Sequence, residues 1–197
     1  MSATSSSKVY RINEIFYSLQ GEGANCGRPA VFVRFSGCNL RCPFCDTDFA
    51  AATPMSSNDI LQQINQFPSR FVVLTGGEPS LQIDEPLLES LKQAGFTIAI
   101  ETNGTHMLPS GIDWVTVSPK EGTDIVLRKA DEVKVVYIGQ DVERYRDMIT
   151  AIRYYLQPCS KMVDGRRTDN TDQVVDYCKS HPHWSLSLQT HKLIAIP

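Results

Sequence analysis

Short apolar runs, each closed by a polar or glycine-containing segment, recur along the chain. Val9–Ile15 alternates imperfectly between apolar and polar positions and predicts a strand. Ala30–Phe35 is an apolar run broken only by Arg34 and predicts a second. Phe71–Leu74, Thr97–Ile100, Asp113–Val117, Glu132–Tyr137, Tyr154–Leu156 and Trp184–Leu188 predict the remaining strands. Helical spacing appears between them. Ile60, Leu61 and Ile64 follow a serine cap at Ser56 or Ser57, and this helix ends before Pro68. Asp84–Ala94 carries Leu87, Leu88 and Leu91 and stops at Gly95. Asp141–Ile152 reads as helical, as does Thr171–Lys179 with Thr168 or Asn170 as caps. The alternation predicts an α/β protein with a largely parallel sheet. About six or seven strands would form a shortened, incomplete (β/α) barrel, since a full eight-fold barrel takes ~250 residues and this chain has 197.

Several polar segments share one topological position, directly after a strand: the loop after Phe35, Thr75–Glu78, Glu101–Asn103, Ser118–Lys120 and Gln157. Strand ends on one side of a parallel sheet are where α/β proteins place ligands. Gly76 and Gly77 after a buried strand let main-chain groups approach a ligand closely, and Gly21 and Gly23 do the same near Gln20 and Glu22. Arg34 is the odd residue of its strand. A buried, unpaired guanidinium is costly, so it either reaches the surface or pairs with a carboxylate in a cavity.

The loop after Phe35 carries Cys38, Cys42 and Cys45 in a C-x3-C-x2-C pattern with no fourth cysteine nearby. Three thiolates can hold three irons of a four-iron cube, leaving the fourth open to a non-protein ligand. Two other readings stand on the cysteines alone. One is a zinc site completed by His106, His181, His183 or His191, none at a familiar zinc spacing; the other is plain buried thiols. Cys26, Cys159 and Cys178 show no ligand spacing and are expected to be packing residues.

The cysteine pattern, with an aromatic before its last cysteine, resembles the radical S-adenosylmethionine (SAM) superfamily, and Gly76-Gly77-Glu78-Pro79 resembles its GGEP element. In that superfamily the open iron binds the amino and carboxylate groups of SAM, which is cleaved to a 5′-deoxyadenosyl radical. Phe16–Gly23, Cys45-Asp46-Thr47, TGGEP, ETNG, SPK and the ending QTHK with a final proline together resemble the 7-carboxy-7-deazaguanine synthase family over nearly the whole chain. The resemblance implies a radical SAM barrel fold and a ring contraction of 6-carboxy-5,6,7,8-tetrahydropterin with loss of ammonia, on the route to queuosine. It implies a [4Fe-4S] cluster on Cys38, Cys42 and Cys45, and Mg2+ on Thr47. Substrate contacts carry over to Leu19, Gln20, Gly21, Arg34, Thr75 and Pro197, the last through the α-carboxylate of the chain. Cofactor contacts carry over to Gly77, to Ser118, Pro119 and Lys120, and to Gln157, Pro158, Cys159 and Ser160. Glu22, Glu101, Asn103 and His191 are further polar candidates with no role fixed. The family implies a homodimer and a flavodoxin or ferredoxin as reductant. The insertion that some members carry between the first two cluster cysteines is absent. A glycyl-radical-enzyme activating enzyme shares the cysteine spacing and glycine pair. An electron-transfer or zinc module would need four protein ligands.

Composition narrows the rest. A net charge of −3 calls for no nucleic-acid or acidic-membrane partner. No apolar run approaches the ~20 residues of a membrane span, and Met1–Ser7 lacks an apolar signal core. The expectation is a cytoplasmic protein with a disordered tail over 1–7 and a single domain over 8–197, its cysteines reduced.

Overall fold

The computed structural model describes residues 8–45, 48, 51–163 and 166–197. The expected tail over 1–7 lies outside them, as does Thr47. Among the described residues the main sheet has nine strands: β1 (Val9–Leu19), β2 (Pro29–Phe35), β3 (Thr53–Ser56), β4 (Phe71–Gly76), β5 (Thr97–Thr102), β6 (Trp114–Val117), β7 (Lys129–Tyr137), β8 (Thr150–Pro158) and a short final strand (Ser185–Leu186). From one edge the order is final strand, β8, β7, β6, β5, β4, β2, β1, β3. Every pair from the final strand to β2 is parallel. β1 runs antiparallel to both β2 and β3. The two ends of this order do not pair, so the sheet is an open part-barrel, as the alternation predicts.

The helices obey their end signals. α1 (Ser57–Ile64) starts with a capping box in which Ser56 Oγ accepts from Asp59 N at 3.2 Å and Ser56 N donates to Asp59 Oδ2 at 2.8 Å. α2 (Glu85–Gln93) is capped by Asp84, whose Oδ1 accepts from Leu87 N at 3.2 Å. Ile60 and Ile64 of α1 and Leu87, Leu88 and Leu91 of α2 share a core with Val31, Val33, Val72, Leu74, Ile98 and Ile100 of the sheet. A second core packs β6–β8 against α3 (Glu143–Met148) and α4 (Thr171–Ser180) through Val133, Val135, Tyr145, Leu156 and Val174. The other sheet face carries Ala30, Phe32, Phe71, Val73 and Ala99. β4 is therefore apolar on both faces, which explains its unalternated sequence.

Three local expectations need correction. The helix expected over 141–152 stops at Met148, because Ile149 is already extended (φ −128°, ψ 116°) and β8 begins at Thr150, paired with Lys129. The β-branched and aromatic run Thr150–Tyr155 suits a strand, and pairing with β7 overrides its helical spacing. β1 continues past the expected Val9–Ile15 through Phe16–Leu19, because these residues pair with Ala30–Phe32 and Pro29 of β2. The strand expected over Trp184–Leu188 is confined to Ser185–Leu186. Reading the sequence also omitted β3, a hairpin of Lys161–Val163 with Arg166–Thr168, and a short helix over Thr190–Leu193.

Candidate active site

The segments following β1, β2, β4, β5, β6 and β8 open onto one cavity of about 710 Å³. Cys38, Cys42 and Cys45 line it, together with Leu19, Gln20, Gly21, Arg34, Thr75 and Pro197. Gly77, Ser118, Lys120 and the run Gln157, Pro158, Cys159, Ser160 line it as well, as do Glu22, Glu101, Asn103 and His191. Of the candidates within the described residues only Pro119 does not reach it; Pro119 is buried.

The cysteine side of the cavity is held by main-chain contacts. Gly77 N donates to Phe35 O at 3.0 Å and Glu78 N to Gly37 O at 2.9 Å, so the turn after β4 is bonded to the start of the cysteine loop. A Cβ on Gly77 would lie 2.0 Å from Gly37 O, which is why glycine is required here. Gly76 adopts φ +122° and is equally confined, a Cβ meeting Phe35 O at 2.2 Å. The Glu78 carboxylate, 1% exposed, accepts from Ser80 N at 3.0 Å, Thr102 Oγ1 at 2.6 Å and Asn103 N at 2.7 Å, joining the ends of β4 and β5. Asn103 Nδ2 donates to Asn39 Oδ1 at 3.0 Å, tying β5 back to the cysteine loop.

No disulfide joins Cys38, Cys42 or Cys45, and Cys38 Sγ accepts from Leu40 N at 3.4 Å. Burial pushes the Cys38 and Cys42 thiols up. Ligation removes those protons, since a metal centre binds the thiolate. Three soft sulfur donors on one loop, lining one cavity, fit three corners of an iron–sulfur cube. Among the described residues no three His, Cys, Asp or Glu groups converge on a point that could hold a single ion, and the magnesium candidate Thr47 lies outside them.

The opposite side is built from charged side chains. Lys134 on β7 is 3% exposed. Its ammonium bridges Glu22 Oε2 at 2.7 Å and Glu101 Oε2 at 2.8 Å. Glu22 Oε1 accepts from Gln189 Nε2 at 2.8 Å and Gln157 Nε2 at 3.2 Å, while Gln20 Nε2 donates to Glu101 Oε1 at 3.3 Å. Burial works to raise the Glu22 carboxyl, but Lys134 and Gln189 outweigh it and bring it down to about 2. For Glu101 burial prevails over Lys134, and with the neighbouring Glu22 and Glu132 carboxylates it raises the group to about 7. Burial lowers the Lys120 ammonium, which donates to Ser118 O and Oγ, both at 2.7 Å.

The chain end closes this side. Thr190 N and Oγ1 donate to Gly21 O at 3.0 and 2.8 Å. His191 packs so closely that a Cβ on Gly21 would meet its Nδ1 at 2.1 Å. Ser18 Oγ donates to Pro197 O at 2.7 Å and fixes the terminal residue at the cavity. Arg34 pairs with Glu14, Nε to Oε1 at 2.7 Å, its guanidinium carbon 5.6 Å from the Phe16 ring centre. Its place in an apolar strand is thus resolved in favour of a carboxylate partner at a cavity. Sequence reading missed Lys134, Gln189 and the structural part played by Glu78. The signal for Lys134 was the one used for Arg34, a cation inside the apolar run Val133–Val136.

Residues 32–180 match the family model described as Radical SAM superfamily. The chain is 54% identical over 186 residues to 7-carboxy-7-deazaguanine synthase of Bacteroides thetaiotaomicron, spanning 94% of this chain and 98% of the relative. The synthase of Nitratidesulfovibrio vulgaris is 44% identical over 96% of this chain and 100% of its own length. The crystal structure of QueE from Escherichia coli superposes with a TM-score of 0.76 at 33% identity, covering 93% of this chain and 95% of that one.

Proposed function

The chain belongs to the 7-carboxy-7-deazaguanine synthases of the radical SAM superfamily, and we propose that it contracts the ring of 6-carboxy-5,6,7,8-tetrahydropterin to 7-carboxy-7-deazaguanine with loss of ammonia. The observation that carries this reading is one cavity with three cluster-spaced thiols on one side and a buried carboxylate–ammonium network on the other. The activating-enzyme and iron–sulfur or zinc module readings are not favoured, because these full-length relatives carry the synthase name.

Cys38, Cys42 and Cys45 would hold the [4Fe-4S] cluster. When bound, cluster and SAM supply one-electron chemistry that abstracts a hydrogen atom from the substrate. Gly77 would let SAM lie against the main chain, with Ser118, Lys120 and Gln157–Ser160 around it and the buried Pro119 between Ser118 and Lys120. The amide oxygen of Gln157, buried and without a partner among the described residues, is an acceptor ready for a ligand donor.

Leu19, Gln20, Gly21, Thr75 and the Pro197 carboxylate would contact the pterin, whose amino-pyrimidinone edge offers N–H donors. Arg34 would meet the substrate carboxylate with its planar fork. Thr47 would provide an oxygen to Mg2+, a hard cation that keeps few protein ligands. No helix among the described residues is long and apolar enough to cross a membrane. We place the enzyme in the cytoplasm, as a homodimer reduced by flavodoxin or ferredoxin.

The test is anaerobic turnover of the reconstituted, reduced protein with SAM, Mg2+ and the tetrahydropterin, read by mass spectrometry. The expected product is lighter than the substrate by ammonia, with SAM not consumed in proportion. Cleavage of SAM with the pterin untouched would overturn the substrate assignment.

A further inference from the structure

Lys134 sits among three carboxylates on one face of the sheet. Glu22 follows β1, Glu101 ends β5, and Glu132 lies two residues before Lys134 on β7, so both β7 side chains project to the same face. Glu132 is 2% exposed and accepts from Ala24 N at 2.8 Å, which draws the Glu22 segment onto β7. The other charged groups facing the network are Lys120, beyond Glu101, and His191, beside Glu22. Lys134 is the cation bonded to Glu22 and Glu101, while the Lys120 ammonium is held by Ser118, so the network suits an additional proton or an N–H-rich partner.

The hydrogen-bond inventory locates the open position. Glu22 is filled: Oε2 faces Lys134, and Oε1 takes Gln157 and Gln189. Glu101 is less so, with Oε1 shared by Lys134 and a long 3.3 Å contact from Gln20, and Oε2 bonded to Lys134 alone. A carboxylate oxygen has two lone pairs, and Glu101 lines the cavity.

We propose that Lys134 is a positioning residue which, by bridging Glu22 and Glu101, keeps Glu101 turned into the cavity as an ionisable acceptor for the N–H edge of the bound heterocycle. This rests on the pterin reading above. Glu101 titrates at about 7, so its acceptor character grows as pH rises through neutrality. Ligand N–H donors stabilise the ionised form, and binding should displace the proton. Removal of Lys134 leaves burial and the two neighbouring carboxylates unopposed and pushes Glu101 further up.

The probe is oxidised 6-carboxypterin, titrated calorimetrically into the reconstituted holoprotein across neutral pH. The wild type is expected to bind more tightly as pH rises, with a midpoint at about 7. Lys134→Met is expected to weaken binding at neutral pH by about tenfold or more and to move the midpoint up by about one unit, with Lys134→Arg recovering most of the loss. An unchanged affinity and midpoint in a folded Lys134→Met protein would overturn the proposal. If that variant does not fold, Glu101→Gln decides: it should bind with no pH dependence across neutrality, and a wild-type profile would contradict the assignment. If the wild type ignores 6-carboxypterin, the pterin reading fails by itself. The Lys134–Glu101 coupling is then read without ligand, from the infrared band of a protonated buried carboxyl that disappears in Glu101→Gln. Its midpoint should be at about 7 in the wild type and higher in Lys134→Met, or unchanged if the coupling is wrong.

Discussion

The two sides of the cavity are made of different materials. The cysteine side is a backbone construction: the turn after β4 sits on the loop after β2 through Gly77 N–Phe35 O and Glu78 N–Gly37 O, at distances only glycine permits. The opposite side is a side-chain construction in which Lys134, Glu22, Glu101, Gln157 and Gln189 are drawn from across the chain and bond to one another. The first tolerates no added volume at Gly76 or Gly77. The second is also close-packed at Gly21 but depends on protonation. A cofactor presenting a metal and a main-chain-sized contact surface suits the first, and a heterocycle with N–H donors suits the second.

The largest effect expected on the cysteine side is on activity. Cys42→Ala removes one of three cluster ligands and should reduce turnover to background, while the thermal midpoint of the cluster-free protein changes little. Iron content after anaerobic reconstitution and product formation check this, and retained activity would break the cluster assignment.

On the charged side the largest effect is on stability. Lys134→Met leaves the part-buried Glu22 and Glu101 carboxylates without their cation and is expected to cost about 3 kcal/mol at neutral pH. The sign with pH follows from the carboxyls. Glu22 is lowered from 4.5 to about 2, so its stabilisation is complete above 4.5 and lost as pH falls through 2. Glu101 is raised from 4.5 to about 7, so its ionisation costs stability as pH rises through that window. The difference in denaturation midpoint between wild type and variant should therefore widen from acid to neutral pH. A constant difference would mean that Lys134 acts by packing.

Gly77→Ala sharpens the contrast from the other side. Its Cβ meets a carbonyl oxygen, and relief requires moving one loop, at about 1–3 kcal/mol with no pH dependence. Urea denaturation at acid and neutral pH checks both the size and the flatness of the loss.

The smallest effect lies outside the cavity. Glu143 takes bonds from Tyr177, His183, Trp184 and Arg146. These overcome a burial penalty and hold its carboxyl at about 2. It is 36% exposed, so solvent screens the gain, and Glu143→Gln should cost less than ~1 kcal/mol. The cost should be present above 4.5 and fade as pH falls through 2.

The same contrast explains what the sequence discloses. Cys38–Cys45 and Thr75–Glu78 are contiguous, and their spacing and glycines announce their geometry before any fold is known. Strand and helix alternation is equally local, and the parallel order of the sheet follows from it. Lys134 meets Glu22 and Glu101 only because β7, β5 and the end of β1 present one face, a juxtaposition no local window contains. The early end of α3 has the same origin: spacing over 141–152 fits a helix, and pairing of Thr150 with Lys129 claims the last part for β8. Gln189 and the Thr190–Leu193 helix carry no local structural signal because their partners, Glu22 and Gly21, lie at the other end of the chain.

The division of labour between the two sides can be measured directly. Dissociation constants for SAM and for 6-carboxypterin would be determined on one anaerobically reconstituted preparation each of wild type, Gly77→Ala and Glu101→Gln. A crossed pattern is predicted: Gly77→Ala weakens SAM and spares the pterin, whereas Glu101→Gln weakens the pterin by about tenfold and spares SAM. Equal weakening of both ligands by either substitution would contradict a cavity divided into a backbone-built cofactor side and a charge-built substrate side.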